Sequence, residues 1–190
     1  MHDLAKRTGM AACISIVDLG EQLNDFNGKM QRRVMLTWEV PDDTISTEEG
    51  EVPRVISKEY TTSLSDKATL RAHLEAWRGR KFTDTELAGF DLKNVLGKAC
   101  QINVIHNEKG YANINGVMAV PKGMPAPALY HELLYFDLTD PACLGQMDKL
   151  PAWVQDKIKK SVTYKELAES AVDTSTEEFT PMDDDAELPF

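Results

Sequence analysis

Three cysteines in 190 residues, Cys13, Cys100 and Cys143, are too few, too widely spaced and odd in number for a disulfide framework. They fit a reducing cytoplasm, the expected compartment. No apolar run approaches the ~18 residues of a membrane span. Residues 1–9 are polar and carry no apolar stretch of the export-signal kind. With no C-x-x-C and no H-x-x-x-H, the four histidines and three cysteines form no metal-ligating pattern. G-x-G-x-x-G and G-x-S-x-G are also missing. Residues 89–98 have the outline of a phosphate loop, but the spacing is wrong and Ala99 stands where Ser or Thr is needed. The expectation is no catalytic residue, no metal and no cofactor.

The composition that remains is that of a globular protein, 42% hydrophobic and 27% charged, long enough for one domain plus an appendage. The net charge of −10 is unevenly spread. Residues 171–190 hold seven acids and no Lys or Arg, whereas residues 54–122 hold eleven basic residues and seven acidic ones. Asp42, Asp43, Glu48, Glu49 and Glu51 form a second acidic cluster, read as a loop. A mildly basic body with an acidic tail weakens the argument against nucleic acid that net charge alone would make.

The pattern along the chain predicts strands over 11–17, 29–40 and 52–62. The segment 19–28, with Gly20, Asn24, Asn27 and Gly28, reads as a loop, and Pro41 is expected to end the second strand. Val34, Leu36, Trp38 and Val40 alternate with Arg33, Met35, Thr37 and Glu39, so Trp38 reads as core. Ser63 or Ser65 is positioned to cap a helix to about Arg78, with Leu70, Leu74 and Trp77 on one face and Gly79 as its stop. Thr83 with Glu86 has capping-box spacing, as has Thr163 with Glu166, and Asp91 caps a further turn. A hairpin follows, 98–106 and 111–120, around the turn 107–110. Three strands, a helical insertion and a hairpin is the element order of a five-stranded OB-fold barrel. The expected organisation is an OB domain over 10–122, an extension with short helices over 123–170, and a disordered acidic tail over 171–190. Residues 130–138 read as a further strand or a docking segment, and Pro151 as the first turn of a helix carrying Trp153, Val154 and Ile158.

The chain ends Pro181-Met182-Asp183-Asp184-Asp185-Ala186-Glu187-Leu188-Pro189-Phe190. This resembles the acidic tail of bacterial and phage single-stranded DNA-binding proteins, with Ala186 and Glu187 inserted between the Asp run and Leu188. Residues 60–82, ending W-R-G-R-K-F and followed by Thr83, with 97–104, His106-Asn107 and 111–114, resemble a phage-encoded single-stranded DNA-binding family that accompanies recombination and replication genes. The resemblance implies a partner-binding tail that includes Leu188 and Pro189, with the ring of a terminal Phe190 and its α-carboxylate entering an apolar, basic-rimmed pocket on a replication or recombination partner. Asp183, Asp184 and Asp185 would steer that encounter. It also implies a barrel that coats single strands without sequence preference.

Such binding needs aromatic rings to stack bases and cations to track phosphates. The candidates for phosphate contact are Arg32, Arg33, Arg54 and Lys58. Those for stacking are Tyr60 and Tyr111, with Phe26 weaker, and Asn113 and Asn115 share the face of Tyr111. Arg78, Arg80 and Lys81 either extend the basic path or are solvated. OB proteins multiply one barrel by self-association, so a homo-oligomer is compatible with this reading. The alternative is a protein-interaction adaptor that uses residues 130–138 or the helices of 151–168 as its interface.

Overall fold

The structure is a computed structural model that describes residues 7–174. Two long hairpins dominate it. β1 (Arg7–Asn24) pairs antiparallel with β2 (Lys29–Thr47), and β2 with β3 (Gly50–Thr61). Two expectations are corrected here. The segment from Leu19 to Asn24 is strand rather than loop, because Gly20 (φ +71°) sits at a register shift of β1 and absorbs it as a bulge. Pro41 likewise falls where the β2–β3 register shifts, between Val40 and Thr44, so its missing N–H breaks no rung and pairing resumes at Thr44. The acidic cluster thus extends the hairpin, and Thr44 and Ser46 both donate hydroxyl hydrogen bonds to Glu51.

After β3 come α1 (Thr69–Arg78) and α2 (Asp84–Gly89). Neither Ser63 nor Ser65 caps α1, whose N-cap is Ala68; the two serines hold the preceding turn. Gly79 ends α1 in the left-handed conformation, and Thr83 with Glu86 forms the capping box of α2. β4 (Ala99–His106) and β5 (Ala112–Met118) make the last hairpin. The hydrogen-bonded path runs β3-β2-β1-β4-β5. The expected closed five-stranded barrel is not what the sheet forms: among the described residues no ladder joins its two ends, which approach only where Lys58 Nζ on β3 donates to Ile114 O on β5 at 3.0 Å. One face of this sheet packs with α1 around Trp38, which is fully buried. The Trp38 and Trp77 rings stand 6.3 Å apart, and Trp77 Nε1 donates to Ala99 O. Cys13 and Cys100 lie in this core, where burial pushes the Cys13 thiol up to about 12.

The other face of β1 and β2 is also buried. β4 covers β1 only from Arg7 to Ala12, and a sixth short strand, β6 (Leu134–Phe136), pairs parallel with Ser15, Ile16 and Val17 beyond it. The chain then forms α3 (Pro141–Leu144), α4 (Ala152–Lys160) and α5 (Val162–Thr174). Val154 and Ile158 of α4 pack with Phe136, Leu138 and Leu150 on Val17, Leu19 and Met35. Ser161 caps α5, accepting from Tyr164 N at 3.1 Å. Thr163, expected as that cap, instead accepts from Glu21 N and ties α5 to β1. Of the segment expected to be disordered, residues 171–174 belong to α5; the remainder lies outside the described residues. No helix among the described residues is long and apolar enough to cross a membrane.

The strap that leads into β6 is tied to β2 by a buried carboxylate. Glu39, on β2 opposite the Trp38 face, is completely buried. It accepts hydrogen bonds from Tyr130 N (2.9 Å), His131 N (2.8 Å) and His131 Nδ1 (2.6 Å). Burial pushes its carboxyl up, but these donors outweigh that and hold it below the ordinary carboxylate range.

Candidate nucleic-acid interface

Two hairpin tips share a construction. In the β1–β2 turn, Asn24 Oδ1 accepts from Phe26 N, Asn27 Oδ1 accepts from Lys29 N, and Gly28 takes the left-handed conformation that closes the turn. In the β4–β5 turn, Asn107 Oδ1 accepts from both Lys109 N and Tyr111 N. With these backbone donors satisfied, each tip holds an aromatic ring in solvent: Phe26 is 98% exposed and Tyr111 48%. Lys29 and Lys109 stand beside them, both exposed and with no ion pair among the described residues. Asn113 is exposed next to Tyr111, donating to its carbonyl, and Asn115 donates to Asn103.

The arginines are placed differently. Every arginine in the chain is ion-paired. Arg32 is bonded to Asp18, whose hydrogen bond, opposed by burial, raises the guanidinium pKa further. Arg33 faces Glu59 at 3.6 Å, and Arg54 bonds Asp43 at 2.9 Å. A phosphate reaching any of these must displace a carboxylate. Arg78 and Arg80 share Glu86, while Lys81 is exposed. Such pairing is invisible in a count of basic residues, because the partner sits across a strand or a turn.

Tyr60 is 3% exposed, so it belongs to the core rather than to an open stacking surface. Its ring packs edge-on against Trp38, its hydroxyl bonds His73 Nδ1 at 2.8 Å, and burial raises its pKa. Lys58 is half-buried beside it, and burial lowers its pKa. Burial, followed by the charge of Lys58, also lowers the pKa of His73. The expected residues nevertheless fall partly together. Arg33, Lys58 and Tyr60 line a cavity of about 400 Å³ with Ser63, Ser65 and Lys67. Arg33 and Glu59 form its boundary with a second groove of about 440 Å³, between the β1–β2 tip and Lys157 of α4. Arg32 lines a separate cleft with Asp18, Asp91 and Asp137.

A larger cavity, about 640 Å³, lies under α1 and α2 and is lined by Trp77, Phe82 and Phe90, with Arg78 and Lys98 at its edge. Among the described residues no group of three or more His, Cys, Asp or Glu stands close enough to hold a metal ion. The tail residues Asp183, Asp184, Asp185, Leu188, Pro189 and Phe190 lie outside the described residues. The sequence signal that best anticipates the exposed sites is the asparagine-and-glycine turn with one aromatic in it. Comparison with protein-family models, with curated proteins and with solved structures finds no match.

Proposed function

We propose that this chain binds single-stranded DNA without sequence preference, as a phage-type protein of replication or recombination, and that its acidic tail recruits partner proteins. The observation that carries the reading is the pair of hairpin tips, each presenting an exposed aromatic beside an exposed lysine that makes no ion pair among the described residues. Stacking tolerates any base because every base has a π-face, and a lysine point charge tracks the phosphates. The strand path β3-β2-β1-β4-β5, with α1 inserted between β3 and β4, supports an OB-type strand order left open between β3 and β5; in that fold the ligand loops join strands 1–2 and 4–5. The tips that carry Phe26 and Tyr111 are those two loops. The run Asp183, Asp184, Asp185 with Leu188-Pro189-Phe190 supports the recruiting role through its likeness to tails of that family.

Phe26→Ala and Tyr111→Ala are expected to weaken oligo-dT binding by about 1–3 kcal/mol each, with thermal stability unchanged because both rings are exposed. Fluorescence anisotropy and a melting curve check this. Wild-type affinity in the double variant would remove the tips from the interface.

The adaptor reading has one observation in its favour. Leu129, Tyr130 and Leu133 are exposed on the strap before β6, at 37%, 55% and 48%. An adaptor that does not bind DNA would ignore oligo-dT and lose its partner when these residues are made polar.

A further inference from the structure

The extension does more than cover β1 and β2: we propose that α4 forms a second wall of the DNA path. This rests on the single-strand-binding reading above. Val154 and Ile158 turn one side of α4 into the core, each 0% exposed. Trp153, Lys157 and Lys160 follow at i, i+4 and i+7, which places them on one flank of the helix. The position of Lys157 shows where that flank points. Its Nζ reaches Glu59 on β3, and its carbonyl accepts from Gln22 Nε2 on β1 at 3.0 Å. It lines the 440 Å³ groove with Leu23, Phe26, Arg33 and Glu59. The flank therefore faces the β1–β2 tip across a groove floored by the outer side of β2 and β3.

The chemistry of this groove suits a single strand. Arg33 and Lys157 share the one carboxylate of Glu59, and Asp25 is the other acid of the lining. The lining itself is balanced, two cations against two acids; Lys29 at the tip and Lys160 on the helix, both outside the lining, are exposed and make no ion pair among the described residues, with Asp156 the exposed acid on α4. Trp153 is 55% exposed, an unusual place for the most costly ring to leave in water, while Trp38 and Trp77 are buried. A strand stacked on Phe26 is thus met by a second ring and two cations on the helix. The β-hairpin supplies one side of the path and the extension the other.

Trp153, the one exposed tryptophan of three, reports on this directly. Oligo-dT titrated into the full-length protein is expected to quench tryptophan emission. Trp153→Phe should bind within about two-fold of wild type and lose the quench, whereas Trp153→Ala should bind roughly ten-fold more weakly. Lys160→Gln should flatten the dependence of log K on log salt by about 0.7. If oligo-dT raises the anisotropy without quenching, and Trp153→Ala and Lys160→Gln bind as wild type does, the strand does not touch α4 and this proposal falls while the binding reading stands. If oligo-dT does not bind the wild-type protein, both fall.

Discussion

Replacing Gly20 by alanine is expected to lower stability by about 3 kcal/mol and to loosen the whole extension. Two costs add. The residue sits at φ +71°, where a Cβ costs about 1–2 kcal/mol. That Cβ would also lie 2.8 Å from Leu138 Cδ2 and from Ser161 Oγ, an overpacking of about 1–3 kcal/mol. Neither neighbour yields easily, since Leu138 is fully buried and Ser161 donates to Ile158 O while capping α5. Gly28 is the internal control. Its φ is +66°, yet nothing lies within 4 Å of an added Cβ, so Gly28→Ala should show the backbone cost alone. Thermal melts of the two variants decide the matter; equal losses would mean that the extension does not dock closely on the bulge.

Glu39→Ala is expected to release the strap at a cost of about 3 kcal/mol, because the variant strands charge-assisted donors that a carboxylate had satisfied. Glu39→Gln should fall between wild type and alanine. Its amide keeps one acceptor oxygen but turns an N–H₂ toward a backbone N–H. Hydrogen exchange at Tyr130 and His131 and proteolysis of the strap should both accelerate. Acid should reproduce this effect. The folded pKa of Glu39 lies below its unfolded value, so the unfolded chain takes up the proton first. The contribution is therefore complete above the ordinary glutamate pKa of about 4.3, and it is lost as pH falls through the lower folded value. A strap equally protected in Glu39→Ala, or one freed by raising pH, would contradict the clamp.

These two residues also mark where reading the sequence fails. Local signals transfer well: the alternation that buries Trp38, the capping box of Thr83 and Glu86, the Asn107 turn and the Gly79 stop all involve neighbours within a few residues. Gly20 and Pro41 are misread because each is a breaker in isolation and a bulge residue in a paired strand. Glu39 looks solvent-facing until His131, 92 residues later, arrives to bond it. Met35 on the same face was the available hint, an apolar residue on a side that otherwise reads as polar. At the candidate site, Tyr111 stands where its polar face suggests, exposed at a tip, and Tyr60 follows Ile56 into the core. Phe26, ranked below both, is the most exposed ring of the three. The docking of α4 on β1 is not legible because Lys157 finds Gln22 only across 135 residues of chain.

The most direct test of the central claim is the anisotropy of a labelled oligo-dT, titrated at low and high salt with the full-length protein and with a version lacking residues 181–190. The account predicts binding that weakens with salt, with log K falling by about 0.7 per phosphate neutralised for each decade. It also predicts that binding persists or tightens without the acidic segment. No binding by either form at low salt and micromolar protein, or binding indifferent to salt, would contradict it.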